Sequence, residues 1–286
     1  MFLAIRDVFL GKELGFEEPF KALEFLGIKS IELHVTRELG TMFGSVSTGA
    51  SRKKLLEELS SRGIGVCAIL VENDFGAMDV RKEIEYICKA CEVCPDLNCK
   101  VVRINAFMRP VGGLSMRGYV IRSAEYIREC LKVAEEHDVS IAMENHGLIG
   151  NNREFIRELI EEVSSDRFGL TLDTGNFYWY GYPLEEVYAI IEEFAPHVKH
   201  THIKNFEVEE GYRDKPRLGL GIGRIRGAPI YAGDIDMRRA LSLLRKGGYD
   251  HDITIEDESL HRFDKREWKE ILRRDADHLR KILEEL

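Results

Sequence analysis

Short runs rich in Val and Ile alternate with longer amphipathic stretches from one end of this chain to the other, and no other feature limits the fold as much. Eight such runs read as strands: 2–7 (FLAIRD), 29–35 (KSIELHV), 66–73 (VCAILVEN), 101–107 (VVRINAF), 140–146 (SIAMENH), 168–176 (FGLTLDTGN), 198–205 (VKHTHIKN) and 252–258 (DITIEDE). Between them a three- to four-residue apolar rhythm predicts helices over 51–62, 79–94, 117–137, 152–163, 183–195, 235–246 and 265–284, with a shorter one near 17–26. The strands are apolar at their starts, as parallel strands covered on both faces must be. Eight strands each followed by a helix, with no Pro/Gly/Ser linker between halves, predict a single (β/α)8 barrel domain over residues 1–286. An open doubly wound sheet would ordinarily carry a glycine-rich phosphate turn after the first strand. The segment IRDVFLGKELG has no G-x-G-x-x-G spacing.

Four cysteines crowd into CKACEVCPDLNC, residues 88–99, a density that suggests a thiolate metal or iron–sulfur site. Such a cluster needs a loop wrapped around the metal. Here Ile84, Ile87, Cys88, Cys91 and Cys94 recur at helical spacing, so the thiols are expected on the face that packs against the barrel, with Pro95 ending the helix. A Cys94–Cys99 disulfide is the other use this spacing allows.

The formal net charge of −9 excludes a general affinity for nucleic acid, which needs a basic footprint. No stretch approaches the ~20 apolar residues of a membrane span, and MFLAIRDVFLGKELGF carries charge too early for a signal peptide, so a cytoplasmic protein is expected. Glutamine is absent while Glu, Lys and Arg are plentiful, a bias that fits a heat-adapted protein.

In a barrel, reactive groups stand at the C-terminal ends of the strands. There the chain places Glu144 (IAMENHG), Asp173 (LTLDTGN), His202 (KHTHIKN) and Glu256 (ITIEDES). The first three stand 29 residues apart, one strand–helix unit each; the last interval is 54 because a long Arg- and Gly-rich loop, about 206–232, intervenes. Equal spacing predicts equal height on neighbouring strands. Three carboxylates meeting in a core repel one another unless a cation lies between them. Two Glu, one Asp and one His form a mainly oxygen donor set, which suits one divalent ion, Mn2+ or Mg2+ ahead of Co2+ or Zn2+.

With ENH at 144–146, LDTGN at 172–176, HIKN at 202–205, GDIDMRRALSLLRKGGY at 233–249 and TIE at 254–256, the sequence resembles the xylose isomerase-like TIM barrels. That group includes ketose 3-epimerases, hydroxypyruvate isomerases and inosose dehydratases, and the resemblance covers essentially the whole chain. It implies that Glu144, Asp173, His202 and Glu256 hold one divalent ion and that Glu144 and Glu256 double as acid–base catalysts. The implied reaction moves a proton at a carbon next to a carbonyl through a metal-stabilised enediolate, on a sugar, polyol-derived ketone or small hydroxy-keto acid. Return of the proton to the same carbon epimerises, return to its neighbour isomerises, and loss of a β-hydroxyl dehydrates. Related barrels assemble as homodimers or homotetramers, and that is the expectation here.

Strand alternation puts His200 and Lys204 on the face of His202, and His146 with Glu144. These, with Asn176, Glu32 and Arg103, are the candidate substrate-binding residues, each with a bland alternative as a polar core or ion-pair member. Many epimerases have His where this chain has Asn176, and many members read H-x-K-D where it has Asn205; both departures put substrate identity in doubt more than class. The 206–232 loop reads as a lid, or as solvated charge. Endonuclease-IV-type DNA repair enzymes share the barrel but carry three zinc ions and further His and Asp ligands. Asn176, the lack of His in LVEND and the acidic charge argue against that reading. A non-catalytic sugar-binding module would be expected to have lost a catalytic Glu, and the set is intact.

Overall fold

The computed structural model describes residues 1–217 and 225–286. Residues 218–224, part of the loop read as a lid, lie outside the described residues. Eight strands, β1 (Phe2–Arg6), β2 (Ser30–His34), β3 (Gly65–Leu70), β4 (Val101–Ile104), β5 (Ser140–Glu144), β6 (Phe168–Asp173), β7 (Val198–His202) and β8 (Asp252–Ile255), form one parallel sheet in the order β8-β1-β2-β3-β4-β5-β6-β7. β7 and β8 meet through a parallel bridge between Ile203 and Ile255: the Ile203 N–H donates to Thr254 O at 2.8 Å and the Glu256 N–H to Ile203 O at 3.0 Å. This is the expected (β/α)8 order. All six residues of β6 and all four of β8 are buried, which is why those stretches read as nearly unbroken apolar runs.

By their internal contacts the residues fall into two compact units, Glu32–Thr171 and Met1–Ile31 with Leu172–Leu286. In the first are helices Gly49–Ser61, Val80–Val93, Met116–Glu136 and Arg153–Val163, and all but Val80–Val93 begin at side-chain caps. Thr48 and Ser51 form a reciprocal capping box, and the Ser115 and Asn152 side chains accept the Gly118 and Phe155 N–H groups. The strands stop short of the expected ends because side chains take over the backbone pairing. Asn73 Nδ2 donates to Asn105 O at 2.8 Å, and the Asn105 N–H donates to Asn73 Oδ1 at 2.8 Å, tying β3 to β4 where the ladder ceases. Helix Val80–Val93 buries Cys91, with Cys94 buried at its C-cap and Cys88 half-buried. All six cysteines are free thiols, and Cys94 and Cys99 both direct Sγ toward Val101 O. Cys91, Cys94, Cys99 and Cys130 fill the core as small hydrophobes.

In the second unit, helix Pro19–Leu26 starts on proline and ends at Gly27, whose φ of 64° needs no Cβ. Helices Leu184–Phe194, Met237–Lys246 and Trp268–Glu285 follow, and Asp236 caps the Met237 helix through the Arg239 N–H. The long loop holds structure that periodicity did not reveal: Asn205–Val208 pairs antiparallel with Ile225–Ala228. Three of its arginines are engaged with protein groups instead of simply solvated. Arg213 pairs with Asp234, Arg226 with Glu207, and Arg217 donates to Tyr182 O and lies over the Tyr178 ring. Among the described residues no helix is long and apolar enough to cross a membrane.

Candidate metal centre

Asp173 ends β6 and turns the chain with its own side chain. Its Oδ1 accepts the N–H groups of Gly175 and Asn176, each at 2.8 Å, which aims Oδ2 at Lys204 Nζ, 2.9 Å away. The glycine in LDTGN is required by that approach: a Cβ on Gly175 would lie 2.6 Å from Lys204 Cγ and 2.7 Å from the Phe206 ring. His202 ends β7, and its Nδ1 stands 3.2 Å from Glu256 Oε2. Glu256 follows β8, with Lys204 Nζ at 2.8 Å and the guanidinium of Arg6 on its other oxygen.

All of these groups except Arg6 are buried. Burial raises the Asp173 carboxyl, against the pull of Lys204, and the neighbouring Glu256 adds to it, leaving it pushed up to about 7. Burial acts the same way on Glu256, but His202, Lys204 and Arg6 outweigh it and hold that carboxyl well below the usual carboxylate range. One donor atom each of Asp173, His202 and Glu256 lies within 4.8 Å of the others. Ligands about 2.1 Å from a shared ion stand about 3–4 Å apart, so small side-chain adjustments bring two carboxylate oxygens and an imidazole nitrogen onto one divalent cation. The donor set fits such an ion.

In the other unit, Glu144 ends β5, buried, and its register partner is Thr171, two residues before Asp173 on β6. Arg103 Nη2 donates to the Glu144 carboxylate, and Arg103 Nη1 donates to Val71 O at 3.3 Å. Arg103 thus faces Glu144 as a buried ion-pair partner, and Glu32 is buried on β2. His146, half-buried, directly precedes the short helix Gly147–Gly150.

His200 lies deeper. Its Nδ1 is 2.8 Å from Asp252 Oδ2, at the start of β8, and its ring packs edge-on against His202 with centroids 5.3 Å apart. Asp252, held ionised by His200 and by the Thr254 and Thr201 donors despite its burial, anchors that imidazole one layer below the carboxylates. Asn176 is buried at the start of helix Asn176–Tyr180, where its backbone serves Asp173. Asn205 is consumed by the fold: its Nδ2 donates to Ile230 O and Ile235 O, both at 3.0 Å, while its Oδ1 accepts the Phe206 and Ile235 N–H groups at 2.9 and 3.0 Å.

A cavity of about 740 Å³ opens beside Glu256, walled by Phe9, Trp179, Phe206 and Trp268, with Arg6 and Glu258 on its polar side. Sequence reasoning missed all six. Arg6 was findable, since it ends β1 as Asp173 ends β6. The aromatic residues, on short helices, a helix start and the Asn205–Val208 strand outside the barrel sheet, carry no such signal.

The family model described as "Xylose isomerase-like TIM barrel" matches residues 20–282. An inosose dehydratase from Yersinia enterocolitica is 29% identical over 141 residues, 48% of this chain and 47% of its own length. The chain spans about half the length of the curated relatives it matches. Among solved structures, an IOLI protein crystallised with a zinc atom superposes with TM-score 0.71 at 19% identity, covering 96% of each chain. D-psicose 3-epimerase with D-tagatose, from Clostridium cellulolyticum H10, superposes with TM-score 0.72 at 14% identity, covering 99% of each.

Proposed function

Since the chain belongs to the xylose isomerase-like TIM barrel family, we propose that it is a cytoplasmic, divalent-metal-dependent isomerase or epimerase of a sugar, polyol-derived ketone or small hydroxy-keto acid, working as one domain. The observation that carries this reading is the buried convergence of Asp173, His202 and Glu256 donors within 4.8 Å. The family resemblance assigns Glu144, at the end of β5, to the same ligand set. A donor set that is mostly carboxylate oxygen favours Mn2+ or Mg2+, with Co2+ and Zn2+ as further occupants, a zinc atom being bound in the IOLI structure. When bound, the ion supplies Lewis acidity to a carbonyl and an adjacent hydroxyl oxygen.

The protein's own groups do the remaining work. Glu256 is the residue assigned to take a proton from the carbon beside the carbonyl; His202, Lys204 and Arg6 keep it in the ionised, proton-accepting form at the cost of basicity. Glu144, paired with Arg103, exchanges a proton at the same carbon or its neighbour. Phe9, Trp179, Phe206 and Trp268 offer a wall for the C–H face of a sugar and exclude water from the reacting carbon. His146 and Asn176 are the polar groups assigned to substrate hydroxyls. A second reading, dehydration on the same residues, is favoured by the inosose dehydratase relative.

The test incubates the Mn2+-loaded protein with a panel of ketoses and inososes in D2O and follows the signal of the carbon next to the carbonyl by NMR. Exchange that falls about a thousandfold in Glu256→Gln supports the proposal. Elimination without exchange selects the dehydratase. Exchange that survives in the variant refutes the assignment of Glu256.

A further inference from the structure

Lys204 is the most enclosed cation among the described residues, 1% exposed at the side chain, and it faces three carboxylates at once. Its Nζ is 2.9 Å from Asp173 Oδ2, 2.8 Å from Glu256 Oε2 and 2.8 Å from Glu258 Oε1. Its backbone has no freedom: the Lys204 N–H donates to Thr174 Oγ1 at 3.1 Å, and that hydroxyl donates back to Lys204 O at 2.8 Å. Its stem lies against Gly175, where a methyl group would not fit. The ammonium thus sits between a deep pair of contacts, on Asp173 and Glu256, and an outer one on Glu258. Glu258 is 50% exposed at the side chain and lines the cavity beside Glu256.

We propose that Lys204 is a resident counter-cation that competes with the divalent ion for Asp173 and Glu256, and that Glu258 is the berth to which its ammonium withdraws when metal enters. This rests on the metal-site reading above. The oxygens in contact with the ammonium belong to two of the proposed ligands, so ammonium and cation cannot both hold them at full strength. Without metal, Lys204 neutralises carboxylates that would otherwise repel across a dry interior and keeps the strand ends assembled. With metal, repulsion between the two cations drives the ammonium outward, where Glu258 compensates it at the cavity edge. A residue that merely propped up the ligands would strengthen metal binding; a competitor weakens it. The two roles have opposite signs.

The experiment measures Mn2+ affinity by titration calorimetry, and metal-free thermal stability, for the wild type, Lys204→Met, Glu258→Gln and the double variant. Lys204→Met is expected to bind Mn2+ about tenfold more tightly while melting lower without metal, and Glu258→Gln to bind about fivefold more weakly, changes within the usual range of coupling between two sites. On the Lys204→Met background, Glu258→Gln is expected to change nothing, because the berth has lost its occupant. Weaker or unchanged binding in Lys204→Met overturns the inference while leaving the metal site standing. If that variant does not fold, unchanged affinity in Glu258→Gln overturns it instead. A wild type that binds no Mn2+ overturns both this inference and the metal-site reading.

Discussion

Replacing Asn205 with Asp changes one atom group and turns HIKN into an H-x-K-D sequence. The structure assigns it a large cost. Asn205 is 2% exposed and uses all four of its hydrogen-bonding positions, two donors to Ile230 O and Ile235 O at 3.0 Å and two acceptances from Phe206 and Ile235. That pattern also fixes which end of the amide is oxygen, since a flipped amide would face two N–H groups with hydrogens. An ionised Asp keeps the acceptances and loses both donors, leaving two buried carbonyls without their partner, at about 1–3 kcal/mol each, so about 4 kcal/mol together.

The sign of the pH dependence follows from the same geometry. Burial against two carbonyl oxygens raises the folded-state pKa of the new carboxyl above its unfolded value of about 3.9. Between those values the folded protein holds a proton that the unfolded chain lacks, so the variant loses stability as pH rises. Protonated, the carboxyl recovers one donor and the deficit falls to about 2 kcal/mol at pH about 5. Thermal unfolding of both proteins at pH 5 and pH 8 should show a gap of about 6 °C widening to about 12 °C, at about 3 °C per kcal/mol for a chain of this size. A gap worth less than about 1 kcal/mol, or one that narrows as pH rises, would refute the claim that Asn205 is a clamp on residues 230–235.

Three more outcomes are expected. Burial places the Asp173 carboxyl at about 7, so Mn2+ must displace its proton below that pH. Calorimetry in buffers of different ionisation enthalpy should find release of about one proton at pH 6, falling toward zero by pH 8, and the same release at both would contradict the shift. Gly175→Ala puts a Cβ 2.6 Å from Lys204 Cγ at an ordinary negative φ; it should cost about 2 kcal/mol by crowding alone and change Mn2+ affinity, whereas wild-type behaviour in both would dismiss the close approach. Arg103→Leu leaves the buried Glu144 charge without its guanidinium and should destabilise the fold by about 3–5 kcal/mol in urea unfolding. A loss within experimental scatter would show that the pair is not a buried ion pair at all.

What the sequence determined by itself is what depends on near neighbours along the chain. The apolar runs placed all eight strands, because a strand buried on both faces must be apolar whatever surrounds it, and helical spacing put Cys91 and Cys94 in the core. Equal 29-residue steps also placed Glu144, Asp173 and His202 at the ends of consecutive strands, and Glu256 follows β8 after a longer interval of 54. Distant contacts were decided only in three dimensions. Arg6 lies 250 residues from Glu256 yet pairs with its carboxylate, Asn205 reaches 30 residues to grip Ile235, and Asn205–Val208 pairs with Ile225–Ala228 across the long loop. Lys204 shows the division most plainly. Alternation identified the face it shares with His202, but only packing against Gly175 and three carboxylates turned it into a buried cation, because the energy of a charge is set by everything around it.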